Sequence, residues 1–261
     1  MKYITCCLGA GCLFLTSPLL ATPDAGFEGR GWFVRAGLGL GEPDFNRTMA
    51  IDNGSGFPSP LHVDLYSTSK KTATSVNLAA GYNWHRRQIG LPAVSVGLNY
   101  QHLFSNDING TITQYSLPQF TNYRYTWAVE SEVLALFART NLIQYQRLLP
   151  YFEGSIGSAW NTASHYRETP FSGVTPRTSP WFRNHTSTHF TYSLGAGLDF
   201  TLTEKITVSL GYEFRDWGTV TSKSGELTWS QEQLNAGHYR THSGLLSLTY
   251  LFGQPPVYLS K

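Results

Sequence analysis

Cysteine is almost absent from this chain. The three cysteines, Cys6, Cys7 and Cys12, all lie near the amino terminus, inside an apolar stretch. The sequence that follows therefore offers no disulfide framework, no thiolate nucleophile and no cysteine-ligated metal. If the chain is exported, this absence excludes the small scaffolds that depend on disulfide bonds.

Charged residues and long apolar runs are also scarce. Charged residues make up 14% of the 261 residues, against roughly 25% in an average soluble domain. After the first 21 residues, no stretch approaches the ~18 apolar residues of a membrane-spanning helix. Aromatic residues reach 14%, there are 25 glycines, and the mean hydropathy is −0.22. This combination is typical of a membrane β-barrel, and the net charge of +2 gives no reason to expect a nucleic-acid partner.

The amino terminus has the pattern of a secretory leader. A short positive start at Lys2 precedes an apolar run from Cys6 to Leu20, and Ala21 offers a cleavage point. The run is too short and wrongly flanked for a retained membrane span. We therefore predict a signal peptide over residues 1–21 with Sec-type export, a barrel over residues 22–252 and a short tail over residues 253–261.

Apolar and polar residues alternate along most of the remaining chain. In the segment from Phe190 to Leu202, every second residue is apolar, and the residues between are mostly glycine, serine, threonine and aspartate. Similar alternation recurs at 32–40, 75–84, 94–103, 151–161, 206–214 and 242–252. Side chains alternate between the two faces of a strand, so each segment predicts one lipid-facing and one polar face. The aromatic residues predicted to face outward, as an interfacial girdle, are Trp32, Tyr82, Trp84, Tyr100, Trp127, Trp160, Tyr192, Phe200, Tyr212 and Tyr250.

The segment from Thr126 to Asn141 alternates less clearly. We predict a strand with a bulge or register change, because any single assignment places some apolar residues inside. A helix over Val129–Leu142 is the alternative. The predicted outward residues are Trp127, Val129, Val133, Ala135 and Phe137, which leaves Leu134, Leu136, Glu130 and Glu132 inside.

The predicted connections alternate between long and short. Long ones are expected at 41–74, 104–125, 162–189 and 218–241, and short ones at 85–93, 142–150 and 203–205. About eight strands, with long loops at one end and tight turns at the other, predict an all-β fold. We expect an eight-stranded antiparallel up-and-down transmembrane β-barrel with four long extracellular loops.

Three segments carry a resemblance to a known family. These are Trp32 to Gly39, Leu149 to Gly157, and the last strand, which ends in Leu248, Tyr250 and Phe252. The chain resembles the OmpA/OmpX-like small outer-membrane barrels over Gly31 to Phe252. The resemblance implies location in the bacterial outer membrane, and it implies that Leu248, Tyr250 and Phe252 form the signal read by the barrel-assembly machinery. The tail after Phe252 is too short for a peptidoglycan-binding domain, so cell-wall anchoring is not expected.

Five charged residues are predicted to face the barrel interior: Arg35, Glu153, Asp199, Glu213 and Arg215. An eight-stranded barrel is only wide enough for side chains to fill it, and charges there must be paired or hydrated. These residues therefore predict an ion-pair network that closes the lumen. A gated polar path for small solutes is the alternative, because inward glycines such as Gly37, Gly197 and Gly211 leave room for water.

No catalytic, metal or cofactor site is predicted. His102 and Ser105 are three residues apart and face opposite ways, and the His185 to His189 segment has no nearby carboxylate. We expect a non-enzymatic monomer that acts in envelope integrity or surface interaction through its loops. Narrow passage of solutes or ions is the alternative, and a lipid A-modifying enzyme is the third. Expected partners are outer-membrane lipid, lipopolysaccharide, the assembly machinery and a surface ligand of the loops, which carry Phe171, Trp181, Phe182 and Trp229.

Overall fold

The computed structural model describes residues 29–69, 71–86, 90–177, 180–225 and 232–253. The predicted signal peptide, residues 254–261 of the predicted tail and Trp229 lie outside the described residues. In the described ranges, no helix is long and apolar enough to cross a bilayer.

The described residues form ten strands, all joined in one antiparallel sheet. The strands are β1 (Gly29–Asp44), β2 (Thr48–Asp52), β3 (Val63–Ser67), β4 (Ala73–His85), β5 (Gly90–Thr113), β6 (Thr121–Ile143), β7 (Leu148–Pro170), β8 (His185–Thr201), β9 (Ile206–Thr221) and β10 (Asn235–Leu251).

Eight of these strands close into a ring. Their order is β5, β4, β1, β10, β9, β8, β7 and β6, and β6 pairs back to β5. The first and last strands meet along a regular ladder that runs from Phe33 opposite Leu251 to Asp44 opposite Arg240. Closure gives every strand two partners, which satisfies the backbone N–H and C=O groups where no water can reach them. The predicted eight-stranded up-and-down barrel is confirmed.

The ring has an apolar outer face and a mixed inner face. On β10, Leu246, Leu248 and Tyr250 are exposed on the outside, while Ser243 and Ser247 are buried inside. Aromatic side chains flank the outer apolar belt at both ends, with Trp32 and Phe200 toward the short-turn end and Tyr212 toward the long-loop end. This arrangement is the lipid-facing band and aromatic girdle of a membrane barrel.

The residues of strand β6 are oriented opposite to the prediction. The residues expected outside, Trp127, Val129, Val133, Ala135 and Phe137, are at most 4% exposed and point inward. Leu134 and Leu136 are instead 46% and 62% exposed on the lipid face. From Ala128 to Asn141 the pairing with β7 is regular, and the shift lies between Thr126 and Ala128. The alternative helix is therefore wrong, because pairing with both neighbours, β5 and β7, fixes this segment as a strand.

The predicted long connections contain much more strand than expected. Strand β5 runs to Thr113 and β6 begins at Thr121, so the expected loop at 104–125 is reduced to residues 114–120. The connection between β1 and β4 folds into the β2–β3 hairpin, and β3 pairs with the far end of β5. The barrel wall thus continues beyond the apolar belt at the long-loop end, where cross-strand pairing outweighs the local turn signals.

The last strand, β10, and the residue that follows it allow a test of the predicted assembly signal. Phe252 is 62% exposed, its ring meets that of Tyr250 at 4.8 Å, and its amide donates to the Trp32 carbonyl at 2.8 Å. We expect Phe252→Ala to lower the amount of folded barrel in the membrane several-fold, measured as the heat-modifiable band on unboiled gels. Phe200→Ala removes a similarly exposed aromatic from an internal strand and is the control. Equal loss in both variants would contradict a signal specific to the last strand.

Candidate functional site: the barrel interior and its cap

A buried ion-pair network crosses the lumen at the level of the apolar belt. Arg35 on β1 donates two hydrogen bonds to the Glu153 carboxylate on β7, at 2.7 and 3.0 Å. Arg139 on β6 donates to the same carboxylate at 2.6 Å and to Asp199 on β8 at 3.0 Å. Asp199 also accepts from Ser209 at 2.6 Å. One guanidinium thus connects two carboxylates on neighbouring strands β7 and β8, while Glu153 reaches across to β1.

A second pair lies further along the lumen toward the long-loop end. Arg215 and Glu213 on β9 are 2.9 Å apart, and Arg215 also donates to Ser193 at 3.2 Å. The six buried lumen charges are therefore three arginines and three carboxylates, with a formal sum of zero. A neutral, hydrogen-bonded set is the arrangement in which buried charges are tolerated, because each charge has its partner.

All five lumen residues predicted from the sequence are buried inside the ring. The prediction missed Arg139, which connects Glu153 with Asp199. Phe137, which has the same strand parity as Arg139, is predicted to face outward, and Arg139 is not among the charges predicted to face inward. Two signals could have found it. Arg139 and Asn141 share that parity, and an arginine facing lipid near the bilayer midplane costs about 2–4 kcal/mol. The lumen network stays a proposal as a functional site, since the structure shows contacts rather than a role.

The inward glycines make room for side chains rather than for a channel. A Cβ on Gly211 would lie 2.1 Å from the Tyr151 hydroxyl, and one on Gly197 would lie 2.8 Å from the Tyr151 ring. The Arg139 guanidinium stacks on the same ring, 3.7 Å from its centroid. Gly37 is likewise covered by the side chains of Asn77 and Ser247. The space that glycine leaves is therefore filled by protein.

The lumen beyond the ion pairs is filled by an aromatic core. This core occupies the part of the barrel that extends past the apolar belt, and the β2–β3 hairpin packs against it. Its completely or almost completely buried members include Tyr66, Leu103, Ile112, Tyr125, Trp127, Val129, Trp217, Leu234 and Tyr239. Burial of each large apolar side chain contributes on the order of 1.5–3 kcal/mol. We call these core residues, the β2–β3 hairpin and the connections at the long-loop end the cap.

Arg177 ties the connections of the cap together. Its guanidinium donates to Glu168 on β7 at 2.6 Å, to Asp64 on β3 at 3.0 Å and to the Tyr66 hydroxyl at 3.1 Å. Tyr166 donates to Glu168. The connection after β7 is therefore held against the hairpin after β1 by charge-assisted hydrogen bonds, which are stronger than neutral ones.

Two tyrosines in this cluster are poor acids. Burial raises the pKa of Tyr66 and of Tyr166 well above the ordinary value of 10.0, and the nearby Glu168 carboxylate adds to both shifts. Both hydroxyls therefore remain protonated in the folded cap at pH values where an exposed tyrosine ionises.

Glu130 and Glu132 lie on the outer face, contrary to prediction. Their side chains are 47% and 46% exposed. His102 lies 3.5 Å from each carboxylate, and the Tyr100 hydroxyl donates to Glu132 at 2.9 Å. On β6, toward the long-loop end, the two glutamates follow the outward Leu136 and Leu134, and on β5 His102 lies between the outward Tyr100 and Phe104. Among the described residues, no group of histidines and carboxylates has the geometry to hold a metal ion.

The closed ring, the apolar belt and the filled polar lumen define a small integral membrane barrel. Residues 10–252 match the outer membrane protein beta-barrel domain. The chain therefore belongs to this family, it resides in the bacterial outer membrane, and its long-loop end is the extracellular end.

Among solved structures, similar folds are found at low identity. Neisserial surface protein A is 12% identical, with 86% of this chain and 100% of that chain covered and a TM-score of 0.46. OprG from Pseudomonas aeruginosa is 11% identical, with coverages of 85% and 96% and a TM-score of 0.46. The outer membrane protease OmpT from Escherichia coli is 9% identical, with coverages of 88% and 99% and a TM-score of 0.39. A search of curated protein sequences finds no match.

Arg139 provides a test of the lumen network. Arg139→Met keeps the volume but leaves Glu153 with one cation and Asp199 with none, so we expect a loss of about 3–5 kcal/mol in unfolding free energy, less where water enters. Urea unfolding in lipid vesicles measures it. Arg139→Met combined with Asp199→Asn should recover part of the loss. Arg147→Met, an exposed arginine on a short turn, is the control, and an equal effect there would contradict the network.

The buried tyrosines predict alkaline sensitivity of the cap. Because the folded pKa of Tyr66 and Tyr166 is raised, their contribution to stability is complete below pH 10 and is lost as the pH rises through the folded values. We expect the near-ultraviolet circular dichroism of the cap to collapse above pH 10 together with a late rise in tyrosinate absorbance. Tyr66→Phe should shift this transition to higher pH, whereas Tyr145→Phe, which changes an exposed tyrosine, should not.

Proposed function

We propose that this protein is a closed, non-enzymatic outer-membrane barrel that acts through its rigid extracellular cap in surface interaction, with a contribution to envelope integrity. The observation that carries the proposal is the aromatic core inside the extracellular part of the barrel. A barrel that conducts needs a water-filled path, and here Trp127, Trp217 and Tyr239 occupy that path with at most 1% exposure.

Order in the cap supports a role in binding. Long loops on outer-membrane barrels carry function, and a preordered surface loses less conformational entropy when a partner binds. Here the loops are largely strands, they share one core, and Arg177 connects two of them. Trp181 stays 53% exposed, whereas Phe182 is buried among Tyr66 and Tyr166. Of these two loop aromatics, Phe182 therefore packs in the core of the cap and Trp181 is accessible at its surface.

The histidines considered for catalysis support the non-enzymatic proposal. His102 faces two carboxylates on the outer wall, and Nε2 of His189 lies 3.1 Å from the Thr219 hydroxyl. Nucleophilic catalysis requires a base in hydrogen-bond contact with its nucleophile and a third group that orients the base. Among the described residues, His189 contacts a hydroxyl but has no hydrogen bond to a carboxylate that would orient it. His102 contacts two carboxylates but no serine, threonine or cysteine that could act as the nucleophile.

Narrow passage of small solutes remains the second candidate, on one observation. A cavity of about 10 Å³ lies between Arg35, Asn99 and Glu213 inside the belt. The side-chain oxygens of Asn77, Asn99 and Gln101 line this part of the wall without a protein partner. A space of this size holds about one water molecule. It hydrates the network, and passage would need the aromatic core above it to open.

The proposed partners follow from the two surfaces. The outer belt places the protein in contact with outer-membrane lipid and, at the extracellular end, with lipopolysaccharide. The exposed Leu248, Tyr250 and Phe252 on the closing strand are the proposed contact for the barrel-assembly machinery. The cap faces the surroundings of the cell, and the barrel is proposed to act as a monomer.

Conductance separates the two candidates. Purified wild-type barrel in planar bilayers should show no steady channel, because the aromatic core closes the lumen. Trp127→Gly combined with Trp217→Gly removes two large members of that core and should produce flickering conductance if the barrel remains folded, as checked by heat modifiability. A stable wild-type conductance that changes ion preference with Glu213→Lys would contradict closure and support solute passage.

A further inference from the structure

Three neighbouring aromatic rings, two of them exposed and one half-buried, lie at the far end of the cap. Phe57 lies between β2 and β3, and Tyr115 and Phe120 lie in the turn between β5 and β6. The Phe57 and Tyr115 centroids are 6.2 Å apart, and the Tyr115 and Phe120 centroids are 6.0 Å apart. Phe57 is 53% exposed and Phe120 is 41% exposed. We call these three residues the tip cluster.

The tip cluster is far from the lipid. It lies beyond Thr113, and thirteen residues of β5 separate Thr113 from the girdle residue Tyr100. At about 3.3 Å per strand residue this is roughly 40 Å along the strand. These rings therefore cannot belong to the interfacial girdle. Large apolar side chains exposed together on such a surface mark an interaction site more often than chance.

The two segments that carry the rings are locked together. One oxygen of the buried Asp64 carboxylate accepts hydrogen bonds from the Tyr115 amide at 3.0 Å and from Asn53 at 3.1 Å. Ser116 donates to the Val63 carbonyl at 2.9 Å. The second Asp64 oxygen pairs with Arg177. The rings are thus fixed to the same cluster that joins the loops of the cap.

The backbone under the cluster is held in an uncommon conformation. Tyr115 and Ser116 are consecutive non-glycine residues with φ of 56° and 54°. This left-handed region is unfavourable for L-residues, and it persists only where surrounding contacts impose it. Here the contacts to Val63 and Asp64 impose it. Placing Tyr115 between two exposed phenylalanines therefore has a conformational cost, which the hydrogen bonds to Val63 and Asp64 offset.

The two segments that carry the rings contain no charged side chain, and the Asp64 carboxylate beneath them is buried and paired with Arg177. Residues 53–62 and 113–123 contain no lysine, arginine, aspartate or glutamate. Their side-chain hydrogen-bonding groups are amides and hydroxyls, such as Gln114, Gln119, Asn122 and Ser59, and Asn122 donates to Gln114 at 2.8 Å. An anionic or cationic ligand would find no counter-charge here.

We propose that the tip cluster binds an uncharged carbohydrate. The electron-rich faces of aromatic rings are complementary to the weakly positive C–H faces of a sugar, and amide groups are complementary to its hydroxyls. Three neighbouring rings that are inclined to one another, by 59° and 78°, offer more than one ring face to a chain of sugars. This proposal rests on the proposed surface-interaction role and gives it a ligand class.

An oligosaccharide array tests the proposal. The full-length barrel in lipid nanodiscs is applied to uncharged oligosaccharides, such as those of glucose, galactose and N-acetylglucosamine, beside sulfated and sialylated ones. We expect binding to uncharged members that changes little between low and high salt. Phe57→Ala and Phe120→Ala should each weaken it roughly tenfold, the scale of one lost ring contact. Tyr145→Ala removes an exposed aromatic from a short turn at the opposite end of the barrel and should leave it unchanged.

Three outcomes would overturn the assignment. These are an absence of binding to any uncharged oligosaccharide, salt-sensitive binding confined to the anionic ones, and binding that survives both phenylalanine variants. Both phenylalanines are exposed, so the variants should fold, and heat modifiability verifies this. Conductance of the same preparation tests closure of the barrel separately, so a negative array with a closed wild-type barrel rejects the carbohydrate and not the closed barrel.

Discussion

Complete pairing of the backbone is the constraint on which the rest of this structure depends. A strand in a bilayer has no water to satisfy its N–H and C=O groups, so the sheet must close on itself. Closure of eight strands fixes the diameter, and that diameter admits side chains but no wide channel. Each inward residue must then fit its neighbours in volume and charge. The pairing of β1 with β10 therefore has consequences as far away as the Arg139 contacts.

The barrel interior is filled by two different kinds of side chain along the barrel axis. At the level of the lipid belt the lumen is polar, and three arginines are matched by three carboxylates. Beyond the belt it is aromatic and dry, with Trp127 and Trp217 at its centre. The polar part lies where the outer face of the barrel is apolar, and glycines there leave room for the Tyr151 side chain. The aromatic part has water outside it, so it folds like the core of a soluble β-domain.

This division connects the fold with the proposed function. A dry core at the extracellular end closes the lumen and also stiffens the strands that extend beyond the membrane. Stiff strands can hold loop residues in fixed positions, as Asp64 holds Tyr115 and as Arg177 holds the connection after β7. The same contacts that oppose conduction thus favour a preorganised external surface. In the proposed function, closure and surface binding are two results of one packing arrangement.

The sequence by itself determined the class of fold, the location and most of the lumen residues. Alternation over Phe190 to Leu202 is unambiguous because one face is fully apolar, so Asp199 and its neighbours could only point inward. The same logic placed Arg35, Glu153, Glu213 and Arg215. It failed on β6 because both faces of this strand are apolar in places: Val133 and Phe137 face the lumen, and Leu134 and Leu136 face lipid.

Only the tertiary structure decided the orientation of β6, the role of Arg139 and the nature of the cap. Pairing of β6 with β5 and β7 sets its register, and register is a property of three strands rather than of one. The segments between the alternating stretches were expected to be long loops. They form strands because the hairpin and the barrel ends share a core that unites residues as distant as Tyr66 and Leu234. The local sequence shows which face of a strand is apolar. Contacts between segments that are distant in the chain decide which side chains fill the barrel interior.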